Sequence, residues 1–131
     1  MDQHNKIILF KDKSIRSYWD AEQEEWFFSV VDVVAALTDS ANPTDYLKKL
    51  RKRDEILGKY LGTNCPQVAM QTTSGKLRKT LAATTQQLLR IIQSIPSKKA
   101  ESFKLWLAEV ASQRLDQLQD PELSIEQAMR D

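Results

Sequence analysis

The chain has a single histidine, His4, and a single cysteine, Cys65, the residue types on which nucleophilic catalysis and structural metal binding most often depend. A Cys or Ser nucleophile needs a positioned base to take its proton. His4 sits in a polar N-terminal stretch, far in sequence from Cys65 and from any acidic cluster. A structural zinc site takes four Cys or His ligands, and the chain offers two. Its three glycines, Gly58, Gly62 and Gly75, form neither a phosphate loop nor a dinucleotide fingerprint. Glu22, Glu24 and Glu25 supply carboxylates, but in a polar turn, where solvated charge is favoured over an acid–base pair. The sequence therefore predicts no catalytic residue, no metal and no cofactor, and a protein that is not an enzyme.

Charge is the chemistry that is left. Residues 1–47 carry a net −5, residues 48–104 a net +10 and residues 105–131 a net −4, within a total of +1. The basic middle concentrates Lys48, Lys49, Arg51, Lys52 and Arg53 in one run and Lys76, Arg78 and Lys79 in another. Cations grouped in this way bind polyanions, because each one placed near a phosphate releases condensed counterions. A merely solvated surface is the alternative, and the placement of the side chains decides between them.

The elements that must place them read as follows. Lys6–Phe10 and Ser14–Trp19 favour strands joined by a short turn, and Glu25–Phe28 resumes after the polar 20–24 connection, which gives a three-stranded antiparallel meander with Trp19, Trp26 and Phe28 facing a core. Ser29 caps a helix over residues 30–38, with Asp32 three positions on. After a polar break at 39–42, Asn42 and Pro43 start a basic helix whose apolar face is Tyr46, Leu47, Leu50 and Leu57. Gly58 and Gly62 then suggest a loop around Cys65 and Pro66. A second hairpin is expected over 67–82, with Val68, Met70, Leu77 and Leu81 on one face and Lys76 and Arg78 on the other. Thr84 and Gln87 form a capping box for a helix to about Gln93, and Ser97 caps a last helix with a core stripe through Ala100, Phe103, Leu107 and Val110.

A helix, a four-residue turn and a basic helix have the layout of a helix-turn-helix pair. Against it, the turn lacks glycine, so the left-handed backbone angle would fall on Asp39, Ser40 or Asn42, and only Asp and Asn tolerate it well. In a duplex-binding reading, Asn42, Thr44, Arg51 and Arg53 are candidates for base edges, and Lys76, Arg78 and Lys79 make the hairpin a wing on phosphates. The aromatic residues lie outside the basic run at core-like spacing, which favours double-stranded over single-stranded partners.

At 131 residues and 41% hydrophobic, the chain is long enough for one self-supporting core. The expected fold is α+β: a small antiparallel sheet, the N-terminal meander plus the later hairpin, packed with about four helices. The domain is placed at 1–120, with 121–131 as a tail or the start of a linker. The lone cysteine and the lack of a leader or bilayer-length apolar run predict a cytoplasmic protein with no membrane partner.

Two blocks of this sequence resemble the Bro amino-terminal domain shared by prophage antirepressors and proteins of large DNA viruses. One is Ile15–Arg16 followed by W-F-F-S-V-V-D-V-V-A-A-L, Trp26 to Leu37. The other runs from Leu88 through L-R-I-I-Q-S to Ala100, Phe103 and the K-x-W-L that ends at Leu107. Where the family usually continues with a proline and an I-R pair, Val110 is followed here by A-S-Q-R-L, so the last helix is expected to run on to about Asp120. The resemblance implies an α+β domain at the start of longer proteins, associated with DNA binding and with relief of phage repression, and without catalysis. Two functions follow as expectations. The first is a module that binds double-stranded DNA through the basic helix and hairpin. The second is a module that captures a phage repressor or partner subunit without touching DNA. A homodimer pairing acidic ends with a basic middle is a further expected partner arrangement.

Overall fold

A computed structural model of the chain describes residues 5–72 and 74–112. Alternation builds the first two strands. On β1 (Asn5–Phe10) Ile8 and Phe10 are buried, and on β2 (Lys13–Asp20) Ile15, Ser17 and Trp19 are buried. Strand β3 (Glu25–Ser29) does not alternate: Trp26, Phe27, Phe28 and Ser29 are all buried, as befits a central strand covered on both faces. The later hairpin, β4 (Gln67–Gln71) and β5 (Leu77–Ala83), joins the meander through β5, giving one antiparallel five-stranded sheet of order β1-β2-β3-β5-β4.

The hairpin register departs from the expected faces. Met70 pairs with Arg78 and Val68 with Thr80, whereas Leu77 and Leu81 pair with Gln71 and Gln67. Directly paired residues share a face, so Arg78 lies on the side of Val68 and Met70, and Leu77 and Leu81 lie opposite. The reason is tertiary. The sheet curls until β4 comes over β2, and Met70 packs with Phe27 and Ala82 in a small second cluster flanked by Tyr18 and Val68. Leu81 turns instead to the main core, and Leu77 is left 58% exposed.

Helices cover the other face. Ser29 caps α1 (Val30–Thr38), its Oγ accepting from the Asp32 N–H, and Val30, Val33, Val34 and Leu37 are buried against β2, β3 and β5. Thr84 and Gln87 form the full capping box of α4 (Thr85–Gln93). Gln87 also donates through Nε2 to the Asn64 carbonyl, which satisfies a helix end that would otherwise lack a partner. On α5 (Ala100–Ala111), Phe103 and Trp106 meet Phe10 edge-on, with centroids 4.9 and 5.8 Å away, and Trp106 Nε1 donates to the Leu9 carbonyl at 2.6 Å. The last helix is thereby bound to the first strand. Ser97 does not cap α5. Its hydroxyl donates to the Leu37 carbonyl at 2.6 Å and accepts from the Lys99 N–H, holding the preceding turn, while the α5 N-terminus has no side-chain cap. The expected continuation of this helix toward Asp120, and the tail after it, lie outside the described residues.

A fifth helix stands where a loop was expected. Asp54 ends α2 (Pro43–Arg53) in an extended conformation and at once caps α3 (Glu55–Asn64), its carboxylate accepting from the Leu57 N–H at 3.0 Å. Leu57 therefore belongs to α3 and not to the apolar face of α2. Gly58 and Gly62 are helical because Leu57 and Leu61 are fully buried, which outweighs a propensity cost of about 1 kcal/mol per glycine. Gly58 has a further role: a Cβ there would lie 2.8 Å from the Arg51 carbonyl oxygen, so α3 crosses the end of α2 at a distance that no side chain permits. Gly58→Ala should destabilise the domain by about 1–2 kcal/mol from overpacking. Gly62→Ala, whose Cβ would meet only the Arg51 guanidinium at 3.8 Å, should be neutral or stabilising by up to about 1 kcal/mol. Urea midpoints of the two variants check the contrast; equal effects would show that the helix crossing does not depend on Gly58.

Candidate nucleic-acid interface

Helix α2 follows α1 after residues 39–42. Asp39 takes the left-handed conformation (φ 55°) that ends α1, as expected for a turn without glycine, and Asn42 caps α2 ahead of Pro43, its side chain accepting from Asp45 N–H at 3.1 Å. The helix has 11 residues, about 17 Å at 1.5 Å per residue. It buries only Leu47 and Leu50. At about 100° per residue, Lys48, Lys49, Lys52 and Arg53 fall on one arc of about 140° opposite those leucines, and all four are exposed.

Arg51 is placed differently from its neighbours in sequence. It is half-buried, and its guanidinium lies against Gly62 of α3. Burial pushes the Cys65 thiol up from its ordinary pKa, and the Arg51 charge opposes that rise. Asn42 and Thr44, at the start of α2, are exposed.

The second basic group sits at the free end of the β4–β5 hairpin. Gly75, at φ 86°, closes the turn with its N–H donating to the Thr72 carbonyl, and Thr72 N–H donates to the Lys76 carbonyl. Lys76, Arg78 and Lys79 are all exposed. Successive strand residues point to opposite faces, so Arg78 and Lys79 straddle the ribbon rather than line one side. α2 packs on α1 and α3, while the hairpin is carried by β3, β2, α1 and α4. The structure thus gathers four cations on α2 and three at the hairpin end, on separate elements.

Part of the positive middle segment is neutralised locally. Lys49 pairs with Asp45 at 3.0 Å, Lys99 with Asp39 at 2.6 Å and Lys104 with Glu101 at 3.7 Å. Arg90 donates to Ser94 Oγ and lies over the Tyr60 ring. Among the described residues, no ion pair involves Lys48, Lys52, Arg53, Lys76, Arg78 or Lys79. A cleft of about 490 Å³ elsewhere on the sheet is lined by Trp19, Trp26, Glu24, Glu25 and Gln86 among others, and among the described residues no Lys or Arg lines it. Among the described residues no group of three or more His, Cys, Asp or Glu side chains is placed to hold a metal ion, and no helix is long and apolar enough to cross a membrane.

One arrangement could not be found by counting charges. Asp32 does not turn back to the Ser29 N–H as a capping-box acid would. It accepts from Arg16 instead, Oδ2 from Nε at 2.8 Å and from the backbone N–H at 2.9 Å, and Oδ1 from Nη2 at 3.1 Å. Both residues belong to sequence blocks singled out above, but only the fold brings them together.

The domain is therefore of the α+β class, with a one-sided layer of helices on a curled antiparallel sheet and two basic projections. A family model described as the BRO family, N-terminal domain, matches residues 14–113. The chain belongs to that family, and the match runs from β2 through α5. No curated protein and no solved structure matches the chain.

Asp39 links the turn to the charges around it. The hydrogen bond from Lys99 holds its carboxyl below the usual carboxylate range, with the charges of Lys99 and Lys13 acting in the same direction. A depressed folded-state pKa contributes stability that is present above the unfolded-state pKa and is lost as pH falls through the folded-state value. Asp39→Asn keeps a residue that tolerates the left-handed conformation but removes this titration. Between about pH 5 and about pH 2, the urea midpoint of the variant should fall less steeply than that of the wild type. Parallel curves would show that the Lys99–Asp39 contact adds nothing to the native state.

Proposed function

We propose that this domain binds double-stranded DNA as part of a prophage antirepressor-like regulator, with α2 as the main contact and the β4–β5 hairpin as a second one. The observation that carries the reading is the arc of Lys48, Lys49, Lys52 and Arg53 opposite Leu47 and Leu50, three of them without an acidic partner among the described residues. The major groove, about 12 Å wide, admits a helix of this size. In this reading Lys48, Lys52, Lys76, Arg78 and Lys79 meet phosphates, Arg53 with Asn42 and Thr44 reaches base edges, and Lys49 joins the phosphate contacts by exchanging Asp45. Arg51 acts from its seat on α3, holding α2 in place. The domain needs no catalytic group and no cofactor for this role.

If about six cations neutralise phosphates, log K should fall against log salt with a slope of about −5. Fluorescence anisotropy with a random duplex between about 50 and about 200 mM salt measures it. Replacing Lys48 and Lys52 with Ala should weaken binding to every sequence and reduce the slope by about 2. Arg53→Ala should alter sequence preference, and Arg51→Ala should act mainly through stability. A flat salt dependence, or displacement of duplex by an acidic protein at equal charge concentration, would favour the capture of a repressor or partner subunit instead.

A further inference from the structure

Arg16 lies outside both basic projections, yet its guanidinium connects the elements that carry them. Nε and Nη2 hold the two carboxylate oxygens of Asp32 in the first turn of α1, and Nη2 also donates to Ser29 Oγ, the cap of that helix. Nη1 points the other way and donates at 3.0 Å to the carbonyl of Gln71, the last residue of β4 before the hairpin turn. Four side-chain N–H groups are thus shared among α1, its cap and the far end of a strand 55 positions away.

The hairpin has few other supports at that end. β5 pairs with β3 only at Phe28↔Ala83 and Ser29↔Ala82, the base of the ribbon. β4 pairs with β5 alone, so it is an edge strand. Beside the packing of Met70 on Phe27, the Arg16–Gln71 hydrogen bond ties the turn end of β4 to the rest of the sheet, one residue beyond the Met70–Arg78 pair. A two-stranded ribbon held only at its base is free to swing. The nine residues of α1, about 14 Å of helix, then lead from Arg16 to the turn before α2.

We infer that Arg16 is a positioning residue. It fixes the basic end of the hairpin relative to the α1–α2 pair, so that both cationic groups present themselves at a set spacing. The consequence for ligand binding rests on the duplex-binding reading above. Arg16 itself makes no phosphate contact, since it is only 24% exposed and committed to Asp32. Lysine in its place keeps the charge facing Asp32 but lacks the planar fork needed to hold Asp32 and the Gln71 carbonyl together.

The test uses the full chain, with Arg16→Lys and, in case that variant does not fold, Arg16→Met combined with Asp32→Leu, which removes both charges at once and spares the fold an unpaired one. Hydrogen exchange is the first readout. Amide protection at residues 77–80 should drop several-fold, while that of β1, β2 and α4 stays at the wild-type level; unchanged protection in the hairpin overturns the inference whatever the domain binds. The salt dependence of duplex binding is the second. Lys76, Arg78 and Lys79 changed together to Ala should lower the slope by about 2.7. Arg16→Lys should lower it in the same sense and add nothing further in that triple background. A full additive loss would also overturn the inference, whereas a wild type with no salt-dependent binding and a loosened hairpin in the variant would sink the duplex reading alone.

Discussion

The Arg16–Asp32 pair sets the geometry from which the rest of the molecule follows. Its side chains are 24% and 17% exposed, so both charges have lost most of their water, and an ion pair in that setting stabilises only if the remaining donors and acceptors are filled. Here they are. Asp32 takes three N–H groups, one of them the Arg16 backbone N–H, and the negative charge stands in the first turn of α1, where the helix dipole favours it. Removing either partner from a buried pair costs about 3–5 kcal/mol, and somewhat less at this exposure. The geometric result matters more than the energy. With Asp32 bound to β2 and Ser29 capping from the end of β3, α1 leaves the sheet in one direction only, and α2 inherits its place from α1.

The aromatic layer explains why the cations end up outside. Phe10, Phe28, Phe103 and Trp106 form a continuous packed group, with Trp19 and Trp26 next to it, between the sheet and the helices. Burying so much aromatic surface commits one face of β1–β3 to the helical layer. α2 contributes two leucines to the core and the hairpin end none, so neither must exclude water, and both can carry lysine and arginine at little desolvation cost.

How much of this was legible depended on the range of the interaction concerned. The meander, the Asn42–Pro43 start and the Thr84–Gln87 box are set by residues within a few positions of each other, and each stands where the sequence placed it; the left-handed residue of the turn falls on Asp39, one of the positions left open for it. α3 was hidden because Gly58 and Gly62 are poor helix formers in isolation; what makes them helical is the burial of Leu57 and Leu61 and the contact of Gly58 with α2. The hairpin faces were misread because alternation alone does not show which side the curl of a sheet will cover. Ser97 looked like a helix cap, but its partner is the Leu37 carbonyl, 60 residues away. The basic residues were legible as a list, and the Asp45–Lys49 pair follows from helical spacing. That Arg51 lies down on α3, and that Arg16 reaches Gln71, depends on contacts that no local pattern encodes.

Charge segregation along the chain has a structural counterpart at the α1–α2 turn. Lys99 and Lys13, from opposite ends of the described chain, meet on the carboxylate of Asp39. Both pairs are substantially exposed and each adds little stability alone. Their effect is on the field. Asp39 is the acidic residue closest in sequence before the start of α2, and two lysines neutralise it, while Asp45 is engaged by Lys49. Asp39 is thereby occupied by cations from outside the helix, and Asp45 by Lys49, one of the four on the exposed arc, which leaves Lys48, Lys52 and Arg53 without an ion pair among the described residues. Asp54 is the exception at the other end, and its carboxylate is turned into the N-terminus of α3, where it satisfies the Leu57 N–H instead of facing the lysines. Three of the four acids within or beside α2, namely Asp39, Asp45 and Asp54 but not the exposed Glu55, thus have a structural partner, which is how a cationic surface keeps most of its charge available to a ligand.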